Sequence, residues 1–126
     1  GFQVPDTTEL LFAETDENYV FVQEEQMMSF LPIVPVKDAT EGIKQAKKAE
    51  HGYMHSALIH SRNVERMDQM EREMNTSLFV KNGPCVAGLG IGGEGYISYS
   101  IATTTGEGIT NPQTFTRVAR STMVSA

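Results

Sequence analysis

The sequence predicts an α/β fold, because short apolar runs alternate with two amphipathic helical patterns. Strand, helix, strand, helix and strand follow one another with short links. This order is typical of a β-α-β-α-β unit with parallel strands and right-handed crossovers. The predicted elements are a strand over 30–36, a helix from Asp38 to Gly52, a strand over 56–60, a helix from Asn63 and a strand over 77–80.

Both predicted helices open on a capping residue. Asp38 is followed three residues later by Glu41, which is the pattern of a capping box, and Asn63 is a good cap for the second helix. Gly52 is expected to end the first helix in a left-handed conformation. The apolar positions that share one helix face are Ala39, Ile43, Ala46 and Ala49 in the first helix and Val64, Met67, Met70 and Met74 in the second.

The flanking sequence predicts further elements. Residues 9–13 and 19–22 favour extended structure, and 23–29 is polar with helical propensity. Pro32 and Pro35 confine the 30–36 strand to a sheet edge or to its own ends. Downstream, 96–101 alternates apolar and polar residues like a strand covered on one face, and 103–108 turns the chain. The tail, 113–125, combines a short helix with a terminal strand at about 120–124.

Composition excludes several classes of function. The net charge is −6 and no block of Lys and Arg occurs, so the footprint of a nucleic-acid binder is missing. No apolar run approaches the roughly 20 residues that cross a bilayer, and the first residues do not resemble a signal peptide. A single cysteine fits a reducing compartment. The chain opens at Gly1 without a methionine, which indicates a processed product or a piece of a longer chain.

Glycine is concentrated in one stretch. Eight of the eleven glycines lie between Gly83 and Gly108, and such a run predicts either a tightly turned loop or the wall of a ligand site. Gly88, Gly90 and Gly93 match the dinucleotide-binding pattern, but that pattern needs a helix after its third glycine. The residues that follow are strand-like, which argues against this interpretation.

Cysteine and histidine suggest weaker sites. Cys85 could be a nucleophile, but a reactive thiol needs a helix N-terminus, a cation or a base beside it. Lys81 is the nearest cation in sequence, and a small buried or loop-lining role is favoured. His51 and His55 are four residues apart, but Gly52 separates them, and no zinc-type set is complete, so no metal site is expected. His60 is expected to be packed or hydrogen-bonded.

Glu24 and Glu25 are paired carboxylates ahead of an apolar strand, and two interpretations stay open. They form a solvated first helical turn, or one of them binds a ribose hydroxyl, as acidic residues do in nucleotide sites. In the second case Met27 and Met28 supply a soft apolar wall.

Five motifs in a fixed order identify a resemblance that covers essentially the whole chain. Together they resemble the C-terminal end of the coenzyme-A-acylating aldehyde dehydrogenases, of the acetaldehyde and propionaldehyde type used in ethanolamine and propanediol breakdown. The motifs are Val22–Met28, Glu50–Ser61, Phe79–Pro84, Gly88–Tyr96 and Thr105–Gly108.

The resemblance implies an enzyme that oxidises a short-chain aldehyde with NAD through a cysteine thioester and passes the acyl group to coenzyme A. It implies that Glu25 contacts the nicotinamide ribose, with Met27 beside it, and that Asn82 to Val86 border the aldehyde pocket. Within that border the residues of interest are Asn82, Pro84, Cys85 and Val86. The resemblance places no catalytic residue in this chain, because the family's catalytic cysteine, its general base and its NAD-binding half lie upstream.

The resemblance also implies an assembly. The chain, 1–126, corresponds to one segment of the family's catalytic domain, in which 118–126 forms an inter-subunit strand of a homo-oligomer. The parent enzyme is expected in the cytoplasm, either free or inside a bacterial microcompartment. Two departures from close relatives stand out: Pro84-Cys85-Val86 replaces Pro-Ser-Tyr, which puts the shape of the pocket in question, and Ser29 replaces a proline.

Two other functions stay open at this point. The missing nucleophile is compatible with a non-catalytic binding or assembly module that keeps the fold. A weaker alternative is an independent nucleotide-binding domain.

Overall fold

The computed structural model describes residues 3–92, 97–103 and 108–125. The chain forms two compact units, Gly1–His51 and Gly52–Ala126. The elements of the first unit are β1 (Leu11–Glu14), α1 (Val20–Gln23), β2 (Phe30–Ile33) and α2 (Ala39–Ala49). Those of the second are β3 (Ser56–Ile59), α3 (Val64–Met74), β4 (Leu78–Lys81), a 3₁₀ helix (Cys85–Leu89), β5 (Ile101–Ala102), β6 (Gly108–Ile109) and a second 3₁₀ helix (Pro112–Phe115).

Strands β1 and β2 of the first unit pair in parallel, with Phe12 opposite Leu31 and Glu14 opposite Ile33. Because side chains alternate across a strand, these four share one face of the pair. All four are exposed, Phe12 to 70%. This surface, Phe12–Glu14–Leu31–Ile33, is called the apolar strand face below.

The opposite face of β2 packs against aromatic rings. The ring centroids of Phe30 and Phe21 are 5.3 Å apart in an edge-to-face arrangement, and Tyr19 lies at the same distance from Phe21. Edge-to-face pairs of this kind add about 0.5–1.5 kcal/mol to the burial of their area. The cluster therefore fixes α1 against β2.

The extended structure predicted over 19–22 is wrong, because α1 covers most of these residues. A turn at Asp16 starts the helix: its carboxylate accepts from the Asn18 N–H at 2.8 Å, and its carbonyl accepts from the Tyr19 N–H at 3.2 Å. The helical propensity of 23–29 does not produce a helix beyond Gln23, where α1 ends. Glu24 is extended, with φ −124° and ψ 137°, and Met27 is left-handed, with φ 46°, so no helix can pass through them.

Both predicted helix caps are confirmed. The Asp38 carboxylate accepts from the Glu41 N–H at 2.9 Å, and the Asn63 side chain accepts from the Arg66 N–H at 2.9 Å. Glu41 reaches back to the Lys37 N–H at 3.2 Å, one residue earlier than the capping box requires.

Helix α2 ends at Ala49, earlier than predicted. The left-handed position after its last turn is taken first by His51, with φ 55°, and Gly52 follows with φ 80°. The left-handed residue that stops the helix, predicted at Gly52, is therefore found one residue earlier, at His51. The left-handed conformation expected at Gly52 is correct.

The second unit holds the predicted strand, helix and strand in their parallel arrangement. Strand β3 pairs in parallel with β4, with Ser56 opposite Leu78, and α3 connects them. Met67 and Met74 of α3 are buried, as are Leu78 and Val80 of β4. Val64, predicted on the same helix face, is exposed.

The predicted β-α-β-α-β order is present, but the strands form two separate parallel pairs, β1–β2 and β3–β4. The Leu11 N–H donates to the Ser29 carbonyl, and the Thr15 N–H donates to the Ile33 carbonyl. The backbone polar groups of the odd-numbered residues in and beside β2 therefore point toward β1. Pro32 therefore lies with its nitrogen toward the other edge, where it cannot donate to a further strand. Pro35 lies beyond the end of β2 at Ile33. Both strands of a two-stranded pair are edge strands, so the restriction of this strand to a sheet edge or to its ends stays a prediction.

The glycine-rich stretch and the tail contain little regular structure. Residues 97–100 lie in no strand, so most of the strand predicted over 96–101 is wrong; Tyr96 and Gly93 fall outside the described residues. Strands β5 and β6 pair antiparallel, and 104–107 of the turn predicted between them are also outside the described residues. The short helix predicted in the tail is the second 3₁₀ helix. Residues 116–125 form neither helix nor strand within this single chain, and their pairing with another subunit stays a prediction.

Candidate functional site

The two residues predicted to contact the cofactor lie in the irregular segment between α1 and β2. Met27 is 89% exposed and is held in a left-handed conformation that non-glycine residues adopt rarely. Glu25 is exposed, and within the part of the chain that is described its carboxylate has no hydrogen bond and no ion pair. A carboxylate without a protein partner can accept hydrogen bonds from hydroxyl groups, and the contact of Glu25 and Met27 with a ribose stays a prediction.

The four residues predicted to border the aldehyde pocket lie together after β4. Asn82 is left-handed, with φ 56°, and Pro84 precedes the first 3₁₀ helix with φ −72° and ψ 153°. Cys85 and Val86 form the first turn of that helix and are both exposed. Glu25 and Met27 belong to the first compact unit, and these four residues belong to the second.

The side chain of Asn82 is hydrogen-bonded at both ends to the turn that follows β3. Its Oδ1 accepts from the Ser61 N–H at 2.8 Å, and its Nδ2 donates to the Ser61 carbonyl at 2.9 Å. The same Nδ2 lies 3.6 Å from the sulfur of Met67, which is buried. The backbone N–H of Asn82 donates to the Ile59 carbonyl at 2.8 Å. No pattern in the sequence indicates this pair of bonds, which we call the Asn82–Ser61 clamp.

Two glycines explain how the 3₁₀ helix lies against β4. A Cβ on Gly88 would stand 3.2 Å from Val80 Cγ2 and 3.4 Å from Leu78 Cδ2, so the helix approaches the strand so closely that a side chain here would displace Val80 by a few tenths of an ångström. Gly90 ends the helix with φ 97°, a conformation that favours glycine. The prediction of a tightly turned glycine loop is confirmed here, and its role as a ligand wall stays a prediction.

Lys81 is paired with two carboxylates of α3. Its Nζ lies 2.7 Å from Asp68 Oδ1 and 2.6 Å from Glu71 Oε2. The hydrogen bond from Lys81 lowers the pKa of Asp68, and the bonds from Asp68 and Glu71 raise the pKa of Lys81. Asp68 and Glu71 are three residues apart on the helix, a spacing that could have suggested a shared partner. The ammonium group of Lys81 is committed to these carboxylates.

The structure agrees with one of the roles predicted for Cys85 but not with the role predicted for His60. The thiol of Cys85 is free and exposed, which excludes the buried alternative and leaves the loop-lining one. His55 Nδ1 lies 2.6 Å from the Ser56 hydroxyl. His60 is exposed and, among the described residues, makes no hydrogen bond, so the expectation that it is packed or bonded is wrong.

A cleft of about 260 Å³ lies in the first unit beside α2. Glu17 at its rim joins the loop after β1 to this helix, since its carboxylate accepts from Gln45 at 2.8 Å and lies 3.5 Å from Lys48 Nζ. Neither Glu25 nor Met27 lines the cleft. Its lining residues are Glu17, Val22, Gln23, Pro32, Val34, Val36, Gly42, Gln45, Ala46, Lys48 and Ala49.

Over residues 3–92, 97–103 and 108–125, no group of three or more His, Cys, Asp or Glu side chains is placed to hold a metal ion. In the same ranges no helix has the length and apolar character required to cross a membrane.

The sequence matches no family model, but it matches curated enzymes along its whole length. It is 50% identical over 126 residues to the acetaldehyde dehydrogenase (acetylating) EutE of Salmonella typhimurium, covering 100% of this chain and 27% of that enzyme. It is 43% identical over 126 residues to the propanal dehydrogenase (CoA-propanoylating) of the same organism, covering 99% of this chain and 27% of the relative.

Solved structures agree with these relatives. The propionaldehyde dehydrogenase of Rhodopseudomonas palustris, solved with bound CoA and an acylated cysteine, superposes with a TM-score of 0.86 at 42% identity, over 93% of this chain and 27% of that one. An engineered glycolyl-CoA reductase with bound NADP+ superposes with a TM-score of 0.87 at 41% identity, over 93% of this chain and 26% of the reductase chain. A propionaldehyde dehydrogenase from a fucose utilisation microcompartment of Clostridium phytofermentans superposes with a TM-score of 0.87 at 39% identity, over 93% of this chain and 27% of that one.

The fold is α/β, and the solved structures on which the chain superposes are those of dehydrogenases and of a reductase. More particularly, the chain is homologous to the acylating acetaldehyde and propanal dehydrogenases, which confirms the resemblance predicted from its motifs. It spans 27% of the length of those relatives. The relatives and structures named above are all enzymes, so the comparisons do not favour a non-catalytic module.

Proposed function

We propose that this chain is the C-terminal segment of an NAD-dependent aldehyde dehydrogenase that converts a short-chain aldehyde and coenzyme A into acyl-CoA. The observation that carries the proposal is the 50% identity to an acetylating acetaldehyde dehydrogenase over the full 126 residues. A bound nicotinamide would supply the hydride acceptor for this oxidation, with Glu25 and Met27 among the residues that would hold it. The contribution of this chain is cofactor contact, pocket wall and oligomer contact.

Glu25 and Met27 are the residues we assign to the cofactor. The exposed carboxylate of Glu25 accepts hydrogen bonds from the hydroxyls of the nicotinamide ribose, and such charge-assisted bonds are stronger than neutral ones. Met27 covers the adjacent apolar surface with a flexible thioether. Support comes from the exposure of both side chains and from the absence of a described partner for Glu25.

The segment from Asn82 to Val86 is assigned to the border of the aldehyde pocket. Val86 is exposed and apolar, so it can cover the alkyl part of an aldehyde, and Pro84 restricts the backbone ahead of it. Cys85 lines the border without acting as the nucleophile. The ion pairs of Lys81 with Asp68 and Glu71 support this role, because Lys81 is the cation nearest to Cys85 in the sequence and its ammonium group is already paired.

The tail is assigned to contacts between subunits of a homo-oligomer, through residues 118–126. Val118, Met123 and Val124 are almost fully exposed in the single chain, as expected of apolar side chains that a second subunit covers. We place the complete enzyme in the cytoplasm, free or inside a bacterial microcompartment. The second location is supported by the microcompartment origin of one structural neighbour.

Acyl-CoA formation tests the proposal directly. The complete subunit is supplied with aldehyde, NAD and coenzyme A, and the product is measured beside the same assay on the 126-residue chain. We expect acyl-CoA only from the complete subunit and none from the 126-residue chain, because the thioester cysteine lies outside this chain. The variant C85S provides the matched control and should still form the thioester. Turnover by the 126 residues alone, or loss of the thioester in C85S, would contradict the assignment.

A further inference from the structure

The amide of Asn82 is bound to the protein through both its nitrogen and its oxygen. Its Nδ2 donates to the Ser61 carbonyl at 2.9 Å and lies 3.6 Å from the sulfur of Met67, a weak acceptor. Its oxygen is also engaged, by the Ser61 N–H at 2.8 Å. The side chain therefore binds the protein rather than an aldehyde oxygen.

The same amide joins two chain segments that are distant in sequence. Ser61 and Asn82 are separated by 21 positions, and each lies just beyond the end of one strand of the parallel pair β3–β4. Strand pairing brings both ends to one edge, and the backbone bond from Asn82 to Ile59 extends the ladder to that point. The clamp thus ties the β3–α3 turn to the start of the pocket segment.

Few other bonds hold the pocket segment in place. Outside the 3₁₀ helix itself, no hydrogen bond among the described residues ties Gly83–Val86 to the rest of the chain. The other restraint is close packing against β4, since a Cβ on Gly83 would lie 3.2 Å from Val80 Cγ1 and one on Gly88 3.2 Å from Val80 Cγ2. The clamp on Asn82 adds the hydrogen bonds at the point where Pro84, Cys85 and Val86 leave β4.

We propose that Asn82 is a positioning residue: its clamp on Ser61 sets where Pro84, Cys85 and Val86 stand, and so which aldehyde chain lengths the pocket accepts. This inference rests on the proposed function, because it assumes that the segment borders the aldehyde. It assigns to Asn82 a role in selectivity without contact to the substrate.

The test compares glycine variants of two left-handed asparagines in the complete subunit. N82G removes the clamp and keeps a residue suited to positive φ, so backbone strain does not confound the result. Asn75 has φ 52°, close to the 56° of Asn82, and ends α3 away from the pocket segment, so N75G is the matched control. N82D is the intermediate variant, because its carboxylate can still accept from the Ser61 N–H but cannot donate to the Ser61 carbonyl.

One measurement tests whether the clamp holds the Ser61 turn, and a second tests whether the clamp affects the choice of aldehyde. Hydrogen exchange of the Ser61 amide should accelerate about tenfold in N82G, since one hydrogen bond is worth roughly that factor, and should stay protected in N82D and N75G. The ratio of kcat/KM for propanal to that for a longer aldehyde should change by about tenfold in N82G, the lower end of what one methylene group is worth in an apolar pocket. N82D should change this ratio less, and N75G should not change it.

Faster Ser61 exchange with an unchanged aldehyde ratio in N82G would overturn the positioning role. Unchanged Ser61 exchange in N82G would show that the clamp does not hold the turn, which also overturns it. A complete subunit that forms no acyl-CoA from any aldehyde would instead refute the proposed function. In that case the exchange of Ser61 would still decide whether the clamp exists.

Discussion

Replacing Gly88 by alanine is the substitution for which the structure gives the sharpest expectation. The new Cβ would stand 3.2 Å from Val80 Cγ2 and 3.4 Å from Leu78 Cδ2. Both neighbours belong to the core strand β4 and are only 8% and 3% exposed, so neither can move aside without disturbing other contacts. We therefore expect G88A to destabilise the second unit.

The magnitude follows from two opposing effects. Gly→Ala restricts the unfolded chain and by itself stabilises by about 0.4–1 kcal/mol. Overpacking of a filled site costs about 1–3 kcal/mol. The second effect is larger when the neighbours are fixed, so the free energy of unfolding should fall by about 1 kcal/mol in G88A.

Gly42 in α2 provides a control with nearly the same contact distance. Its Cβ would meet Val36 Cγ2 at 3.3 Å, but Val36 is 41% exposed and free to shift. Alanine in a helix interior is favoured over glycine by about 1 kcal/mol, so G42A should raise the free energy of unfolding by about 0.5–1 kcal/mol.

Urea unfolding of both variants in the same parent protein, followed by circular dichroism, measures these changes. The two substitutions should differ in sign and by roughly 2 kcal/mol in total. If G88A stabilised the protein as much as G42A does, the close approach of the 3₁₀ helix to β4 would not constrain residue 88, and the reasoning would be refuted.

Three further outcomes are expected. E25Q should raise the KM for NAD by about tenfold while E24Q leaves it unchanged, because a hydrogen bond to a charged acceptor is worth roughly 1.5–3 kcal/mol; equal effects in steady-state kinetics would count against the assignment. The ion pair with Lys81 lowers the pKa of Asp68, so its stabilisation is present above the unfolded pKa and is lost as pH falls through the folded one. D68N should therefore flatten the acid limb of a melting-temperature profile, and added salt should reduce the difference between D68N and the unmutated protein. N63A removes the cap of α3 and should cost about 1 kcal/mol in urea unfolding, whereas N63D should cost little.

Local sequence signals predicted the helices well. The caps at Asp38 and Asn63 depend on a side chain and a backbone N–H three residues apart, so the sequence alone contains the whole interaction. The strands β3 and β4 were also predictable, because each is a short apolar run with a clear turn signal beside it.

Features that depend on tertiary contact were not predictable. Helix α1 forms where 19–22 favours extended structure, because the turn at Asp16 and the ring of Phe30 act together on Tyr19 and Phe21. The left-handed conformation of Met27 has no local signal of the kind that glycine gives.

In the candidate site, too, the local features were predictable from the sequence and the tertiary contacts were not. The motif around Asn82 and Pro84 marked the segment, and Asn-Gly is a known turn signal. The partner of Asn82, however, is set by the register of two strands, and no pattern within one segment encodes it. The sequence could therefore suggest that Asn82 matters without indicating what it binds.

The apolar strand face also determines how the 126-residue polypeptide behaves in concentrated solution. Hydrophobic attraction weakens on cooling, so a sample should turn cloudy when warmed and clear again when chilled. Glu14 is the charged member of that face and opposes association of two copies through it. Neutralising it should lower the temperature at which cloudiness begins, so chilled, dilute buffer suits purification of this polypeptide.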